Sequence, residues 1–459
     1  MHIFIFFISL FFPAALIADQ ELPLLGENAS VNLQNEFELG LGVYNRLKQG
    51  GYLIEDQLLS RYISDIGESM LSLLDIRLRG YHFFLLKEAS VNAFATPGGF
   101  IGVNAGLIAL TENEDELASV IAHEIAHVEL RHTMQMIEKS QALNTVGALS
   151  ILAAILLSSQ DPEAASAMLY GSAAGSSQAI VNFTRSNEYE ADRVGVELVK
   201  KSQYDPASMA DFMEMLQRKE QTGAIANIEY IRTHPIGSNR VAEIRARVAQ
   251  SRTENIKKPG YISRYSQFKD YLSFIYPEVG HPAQQSEYYK ALTLMKKGLY
   301  EESSRQLRRL KKRDPDSIWI SYALAESLMY QARYDEALKI YQSLLLLYPE
   351  DLAITSKLVN VLVLTEKYAQ ALDYAQRVLK QNEDQPESYK MLVQIYQELK
   401  QTNRQQLAEA NFHWYSGNRT QAKKLYKALI DKGELDVINE QKVKEKLAKI
   451  ISEKDGITE

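Results

Sequence analysis

The residues with the clearest chemistry are His123, Glu124 and His127, in the run His-Glu-Ile-Ala-His. Four residues turn an α-helix through about 400°, so the two imidazoles lie roughly 40° apart on one face and can share a tetrahedral metal ion. Glu124 lies about 100° round from His123, where its carboxylate can reach a water on the metal rather than the metal itself. The spacing predicts a hydrolytic centre with one Zn²⁺ per chain, His123 and His127 as ligands, and Glu124 as general base.

The motif requires a helix, and the residues before it predict one. The segment 111–120 contains an N-cap candidate and acidic residues in what would be the first turn. Apolar side chains then recur at helical spacing: Leu117, Val120, Ile121 and Ile125. The motif is therefore expected in the middle of a helix, and the alternative is a buried pair of purely structural histidines.

A catalytic zinc keeps three protein ligands and one open position, so a third ligand should come from another element. Glu188 is the candidate, because Asn187–Gly195 has a helical pattern in which Glu188 and Asp192 share one face while Glu190 points largely away. Asp192 would then accept the spare ring N–H of a ligand histidine and fix its tautomer. A solvated acidic helix face is the alternative interpretation.

Four blocks in this order resemble a known family, the zinc metalloproteases that include the membrane-embedded CAAX prenyl proteases and the bacterial heat-shock protease HtpX. The blocks are Asn92–Gly106, His123–His127, the Glu-x-x-x-Asp pair at 188 and 192, and His234-Pro235 with Arg240. The resemblance covers roughly residues 30 to 250. It implies that His123, His127 and Glu188 bind zinc and that Glu124 is the base in metal-assisted peptide hydrolysis.

His234 and Arg240 are predicted catalytic residues whose roles the sequence leaves open. Either side chain could donate to the developing oxyanion if their loop folds over the cleft. His234 could instead be a fourth zinc ligand that keeps the enzyme latent, because four protein ligands leave no place for water. A third interpretation is a histidine that merely ends a helix before Pro235.

The glycine-rich segment 97–104 predicts a turn into a short strand. An extended substrate could pair with that strand, and an ordinary buried hairpin is the alternative. The segment 143–177 is expected to be a hydrophobic helical hairpin inserted between the two zinc-binding helices. About 15 apolar residues in its first arm are too few to span a bilayer, so it would rest on a membrane as a peripheral contact, cover the cleft, or pack into the core.

The N-terminal segment 1–18 is predicted to be a secretory signal peptide, which implies export, and an uncleaved anchor is the alternative. The chain contains no cysteine, which excludes disulfides, cysteine metal ligands and a lipid-modified cysteine anchor. The net charge of −7 argues against nucleic acid as a partner. The mature metalloprotease domain is therefore expected at 19–250, followed by a linker region at 251–283 whose Tyr and Phe content suggests packing against a neighbour.

The second half repeats. Tyr300, Tyr334 and Tyr368 are evenly spaced, and Ala337 and Ala371 follow the same step. A helical period of about 34 residues, with small residues at helix contacts, resembles the tetratricopeptide repeat. The domain is predicted at 284–450, with units at 284–317, 318–351 and 352–385, then a helix from 386 and a further unit near 403–436.

The last unit departs from this pattern, because Ala422 follows Ala371 by one and a half periods. Stacked helix pairs form a superhelix whose concave face usually binds protein segments, so a protein partner is implied. The predicted fold is therefore mainly α: a zincin-like α+β metalloprotease domain with a small sheet near residues 80–105, then an α-solenoid of tetratricopeptide repeats.

An exported protease of this family joined to such repeats resembles a group of periplasmic proteases of Gram-negative bacteria. The resemblance implies quality control of outer-membrane proteins: unfolded or stalled ones as substrates, and the repeats contacting them or the outer-membrane assembly machinery. Two other hypotheses remain open. One is a repeat-based adaptor or chaperone with a latent or silent protease domain, and the other is a membrane-anchored processing peptidase that uses 143–177 as its foot.

Overall fold

The computed structural model describes residues 28–74, 80–139, 177–223, 228–249, 261–279, 286–349 and 351–455. The predicted signal peptide at 1–18 lies outside these residues, as does the predicted insertion at 143–177 except for its last residue. The described chain is mainly helical with one small sheet, so the predicted fold class is confirmed. None of the described helices combines the length and the apolar character needed to cross a membrane.

The protease half contains nine described helices around a small sheet. They are α1 (Asn28–Gln49), α2 (Gln57–Leu71), α3 (Ala105–Leu110), α4 (Glu114–Glu129), α5 (His132–Lys139), α6 (Ser177–Lys201), α7 (Ala207–Gln221), α8 (Glu229–Thr233) and α9 (Ser238–Ala249). The N-cap of the motif helix α4 is Asn113, whose side chain accepts from the Glu116 N–H at 3.0 Å. Three acidic residues occupy the first turn of α4, where the helix dipole favours them.

The sheet has the strand order β1-β3-β2, with β1 at His82–Leu86, β2 at Ala93–Thr96 and β3 at Phe100–Asn104. Strand β3 pairs parallel with β1 and antiparallel with β2. The turn and strand predicted at 97–104 are present, but the expectation that a substrate pairs with this strand is wrong. Both edges of β3 are already occupied, and among the described strands the free edge beside α4 belongs to β2.

Helix α10 (Tyr261–Ile275) lies in the segment that the sequence suggested as a linker region. Its aromatic residues join the two halves: Phe268 stacks on Tyr62 of α2 with ring centroids 4.3 Å apart, and also packs against Trp319 at 5.8 Å. Tyr271 donates to Asp56 at 3.2 Å. One continuous hydrophobic core runs from α2 and the sheet through α10 into the repeats.

The second half is a row of antiparallel helices. They are α11 (Glu287–Lys296), α12 (Tyr300–Arg313), α13 (Ile318–Tyr330), α14 (Tyr334–Leu347), α15 (Leu352–Leu364), α16 (Tyr368–Gln381), α17 (Pro386–Glu398), α18 (Thr402–Tyr415), α19 (Arg419–Lys432) and α20 (Val437–Asp455). The turn inside each of the first four pairs contains a residue with positive φ, and these residues recur once per repeat: Gly298, Ala332, Glu366 and Lys400. The repeat period seen in the sequence is therefore structural.

The expected slip of register after residue 386 is wrong. Helix α17 begins one full period after α15, and α18 begins one full period after α16, so the pair continues the row without a break. The sequence misleads because α18 has Gln405 where α16 has the small residue Ala371. The next matching alanine, Ala422, is buried in α19, the first helix of the following pair.

Candidate zinc site

Four buried side chains converge at the centre of the protease half. Donor atoms of His123, His127, Glu188 and His234 all lie within 4.8 Å of one another. His123 Nε2 is 3.0 Å from His127 Nε2 and 3.3 Å from Glu188 Oε2. His234 Nδ1 is 3.2 Å from Glu188 Oε1 and 3.3 Å from His123 Nε2. The structure thus brings together the three ligands predicted from sequence and adds His234 to the group.

The close crossing of α4 and α6 makes this convergence possible. Gly195 of α6 faces the backbone of His123, and a Cβ at Gly195 would lie 3.4 Å from both the N and Cα atoms of His123 and 3.1 Å from Met209. A larger residue would push the helices apart at the level of the site. The missing side chain at Gly195 therefore lets Glu188 and Asp192, which precede it on α6, reach the ring of His123.

Behind the four donors lies a second group of charges. Asp192 Oδ1 is 3.1 Å from His123 Nδ1, the position at which a carboxylate fixes the tautomer of a ligand histidine. Arg240 of α9 donates to both oxygens of Asp192 at 2.6 and 2.8 Å, approaches Glu188 Oε2 at 2.9 Å, and donates to the Pro235 carbonyl at 2.8 Å. The structure places Arg240 behind the carboxylates.

The electrostatics follow from burial and these partners. Burial alone would raise the pKa of Glu188, but the charges and hydrogen bonds of His234 and His123 outweigh it and hold that pKa well below its ordinary value. Burial lowers the pKa of His127 well below its ordinary value, which leaves its ring neutral. Burial also opposes protonation of His123, yet Asp192 and Glu188 raise its pKa to about 10.

Glu124 lies beside the donors. Its side chain is 1% exposed, and Oε1 has no hydrogen-bond partner among the described residues, with His234 Nε2 at 3.4 Å. Burial raises the pKa of Glu124, while the backbone N–H of Ala95 in β2 lowers it by hydrogen bonding. The carboxylate is therefore held between the free edge of β2 and the cluster of ring nitrogens.

His234 follows the last residue of α8. Its backbone N–H donates to the Tyr230 carbonyl at 2.8 Å, and its ring packs on Tyr230 with centroids 4.6 Å apart. The Tyr230 N–H in turn donates to the Val91 carbonyl at 2.9 Å, just before β2. The ring reaches Glu188 through Nδ1 and Glu124 through Nε2, so it lies between the candidate ligand and the candidate base.

Sequence reasoning missed His132. Its Nδ1 lies 3.0 Å from Nδ1 of His127, and its Nε2 lies 3.6 Å from Glu190, a residue that the helical spacing had turned away from the metal. The signal was available, because His132 closely follows His127 in the sequence, just beyond the end of α4. His132 is placed to orient His127 as Asp192 is placed to orient His123.

The donor set fits zinc. Three ring nitrogens and a carboxylate meet at a buried point. Neighbouring ring nitrogens at 3.0 and 3.3 Å cannot all donate to one another, whereas a central cation would bind every lone pair. Imidazole with one carboxylate is a ligand set that suits zinc.

A zinc site on a helix that packs against a second ligand-bearing helix and a small sheet defines a metallopeptidase. Comparison with known proteins agrees: residues 57–248 match the model of peptidase family M48, and residues 322–386 match a tetratricopeptide repeat model. The protease half therefore carries a peptidase family M48 domain, and the relatives that share this domain are named as proteases and metalloendopeptidases.

Individual relatives share this domain. The beta-barrel assembly-enhancing protease of Escherichia coli K12 is 32% identical over 322 residues, which are 67% of this chain and 66% of that protein. A putative beta-barrel assembly-enhancing protease of Vibrio cholerae is 34% identical over 232 residues, 50% of this chain and 48% of that protein. The mitochondrial metalloendopeptidase OMA1 of Schizosaccharomyces pombe is 26% identical over 183 residues, 40% of this chain and 51% of that protein. The aligned regions thus span about half to two thirds of these relatives.

Proposed function

We propose that this chain is a zinc-dependent endopeptidase of the periplasm that acts in the assembly and quality control of outer-membrane β-barrel proteins. The observation that supports hydrolysis most directly is the convergence of His123, His127 and Glu188 beside the carboxylate of Glu124, whose Oε1 has no hydrogen-bond partner among the described residues. The names of the bacterial relatives support the β-barrel substrates, and the predicted signal peptide supports export.

His123, His127 and Glu188 would hold the metal, and Zn²⁺ supplies Lewis-acid activation of water and of the scissile carbonyl. Glu124 accepts the proton of the attacking water at Oε1 and returns it to the leaving amine. Asp192 and Arg240 act as positioning residues: Asp192 holds the ring of His123, and Arg240 holds Asp192 and Glu188 from behind. This arrangement favours a positioning role for Arg240 over donation to an oxyanion.

The free edge of β2 is the candidate surface for an extended peptide. It runs beside α4, the Ala95 N–H faces Glu124, and the Thr133 hydroxyl reaches the Ala95 carbonyl at 3.4 Å. Main-chain pairing along this edge accepts varied sequences, which suits an enzyme that degrades unfolded chains. The repeats would contact such substrates or the assembly machinery, and a chaperone role would rest on the same surface.

Two roles for His234 lead to opposite predictions. As a fourth ligand through Nδ1 it would close the site and keep the enzyme latent, and its distance from Glu188 is compatible with that. As a donor through Nε2, on the Glu124 side, it would stabilise the developing oxyanion. The latent role also suits the alternative function, an adaptor or chaperone whose protease is silent at rest.

The test is zinc content and cleavage of casein and of an unfolded outer-membrane protein by the purified full chain. We expect about one zinc per chain. Glu124→Gln should abolish cleavage while zinc is retained, and Glu129→Gln on the same helix, where Glu129 accepts from Tyr81, is the matched control. Increased cleavage by His234→Ala supports latency, and lost cleavage supports the donor role. Bound zinc without cleavage in wild type and His234→Ala alike contradicts the peptidase proposal and favours the adaptor.

A further inference from the structure

The first repeat carries a concentration of basic side chains in a protein whose net charge is −7. Residues 287–313, which cover α11 and α12, contain nine Lys and Arg against three Glu. From Ser303 to Arg313 there is no acidic residue at all. This local excess of positive charge is opposite in sign to the protein as a whole, so it creates a separate electrostatic surface.

Helix α12 turns one face inward and presents the basic residues outward. Ser303, Ser304, Leu307 and Leu310 are the residues that it buries. Arg305, Arg309 and Lys312 are exposed at spacings of four and three, so they form one stripe along the helix. None of these three has an ion-pair partner within the described part of the chain, whereas Arg308 and Arg313 pair with Glu336 and Glu287. The stripe is therefore available to an external anion.

Two exposed leucines lie on the neighbouring helix. Leu346 is 84% exposed and Leu347 is 59% exposed, at the C-terminal end of α14. They occupy the positions in the second repeat that Lys312 and Arg313 occupy in the first, one full period earlier. The ion pair between Arg308 and Glu336, at 3.0 Å, joins α12 to α14 and shows that the two helices lie side by side. The leucines therefore project at the same end of the solenoid as the end of the basic stripe.

We propose that this basic–leucine face, made of Arg305, Arg309, Lys312, Leu346 and Leu347, binds the anionic surface of a phospholipid membrane. Basic side chains attract anionic headgroups, and protruding leucines enter the boundary between headgroups and acyl chains. An acidic protein segment would satisfy the charges but would leave two leucines in water. A fluid lipid surface accommodates both without a matching pocket, and the membrane would then hold the protease close to membrane-bound substrates.

The experiment is co-sedimentation of the purified full chain with vesicles at about 0.1 M salt. Vesicles of phosphatidylcholine alone are compared with vesicles that contain phosphatidylglycerol as a quarter of the lipid. We expect binding to the anionic vesicles only, weakened by added salt. The double variant Arg309→Glu with Lys312→Glu should bind about tenfold more weakly, because each basic residue near the surface contributes substantially.

The repeat supplies a matched control for charge. Arg377 and Lys380 occupy on α16 the positions that Arg309 and Lys312 occupy on α12, two repeats away. Both are exposed, so Arg377→Glu with Lys380→Glu changes the net charge equally and leaves the proposed face intact. This control should keep wild-type vesicle binding. An equal loss in both double variants would mean that net charge alone governs binding, and it would overturn the proposal.

A third variant separates a membrane from an acidic protein. Leu346→Ser with Leu347→Ser leaves the charges in place and should weaken vesicle binding several-fold without affecting binding of a polyglutamate peptide. No vesicle binding by the wild type would overturn the proposal. Vesicle binding that the leucine variant leaves unchanged, while polyglutamate competes fully, would also overturn it and would assign the face to an acidic protein partner. Circular dichroism melts verify that each variant folds. Glu124→Gln should bind vesicles like the wild type, so this test is independent of the peptidase proposal.

Discussion

The zinc site is built by contacts between residues far apart in the sequence, whereas the repeats are built by contacts between residues close together. In the repeats, a turn is set by residues within one helix pair, and the same backbone conformation returns once per period at Gly298, Ala332, Glu366 and Lys400. In the zinc site, His123 meets His234 across 111 residues, and Asp192 meets Arg240 across 48. The repeats use local geometry many times, whereas the site uses a single tertiary arrangement once.

The two regions also treat charge differently. The site buries Glu188, Asp192 and Arg240 almost completely, so each charge depends on the others for compensation. Charged pairs in the repeats are mostly exposed: Arg333 pairs with Glu336, and these two side chains are 39% and 48% exposed. Water can replace a lost partner on the surface but not in the interior. The same type of ion pair should therefore have very different energetic weight in the two regions.

The largest expected effect comes from removing the buried cation. Arg240→Ala leaves Asp192 and Glu188 without their guanidinium partner, and breaking a buried pair in this way costs about 3–5 kcal/mol of the free energy of unfolding. Zinc affinity should also fall by about 10- to 100-fold, because the residue that holds the ligands is lost. Urea unfolding and competition with a zinc-binding dye measure the two quantities.

Arg333→Ala is the matched substitution in the repeats. It removes the exposed pair with Glu336 and should change the free energy of unfolding by less than about 0.5 kcal/mol, with no change in zinc affinity. Comparable losses of stability in the two variants would show that burial does not distinguish the regions in the way the geometry indicates.

The sequence predicted the parts of the site that depend on spacing within one helix. His123, His127 and Glu124 lie on α4, and Glu188 and Asp192 share a face of α6, as four-residue spacing requires. What it could not predict was the direction of approach of other elements. Arg240 lies behind the carboxylates, and β2 replaces β3 as the strand with a free edge beside α4. Both outcomes depend on tertiary packing that no local pattern contains.

In the repeats, by contrast, a local residue pattern gave a wrong prediction. The repeat period was visible in tyrosines and alanines, yet the same residue types misled at Ala422. Ala422 matches Ala371 in identity but lies in the first helix of a pair, whereas Ala371 lies in the second. Backbone positions such as Lys400 retain the period where the side chains have lost it. A repeat is thus specified by turn geometry and burial, and individual residue types only approximate it.

The stability of the junction between the two regions is expected to depend on pH. Glu114 begins α4, accepts from Tyr62 at 2.6 Å, and is connected through the Tyr62–Phe268 stack to the repeats. Burial raises the pKa of Glu114 from 4.5 to about 7, although hydrogen bonds from Tyr62 and Tyr204 oppose the rise. Because the folded pKa exceeds the unfolded one, the contribution of Glu114 to stability is greatest below pH 4.5 and is lost as pH rises through about 7.

Glu114→Gln should therefore be similar to wild type at pH 5 and more stable at pH 8, by on the order of 2 kcal/mol. Trp319, which packs against Tyr62 at 5.7 Å, reports unfolding of the junction by fluorescence. A stability difference for Glu114→Gln that is equal at pH 5 and pH 8 would rule out this assignment.

The smallest expected effect tests whether the repeat turns are set locally. Glu366 has φ of 58°, a left-handed conformation that strains a residue with a Cβ, so Glu366→Gly should stabilise the repeats by about 0.5 kcal/mol after the entropy of glycine is included.

Gly298 occupies the same turn two repeats earlier, with φ of 77°, and a Cβ added there would have no atom within 4 Å. Gly298→Ala should therefore destabilise by about 1 kcal/mol through backbone strain alone. Urea unfolding of both variants measures the signs. Opposite signs at equivalent positions mean that the turn conformation determines local stability in every repeat, whereas equal signs mean that contacts between repeats determine it and that the solenoid shares the long-range character of the zinc site.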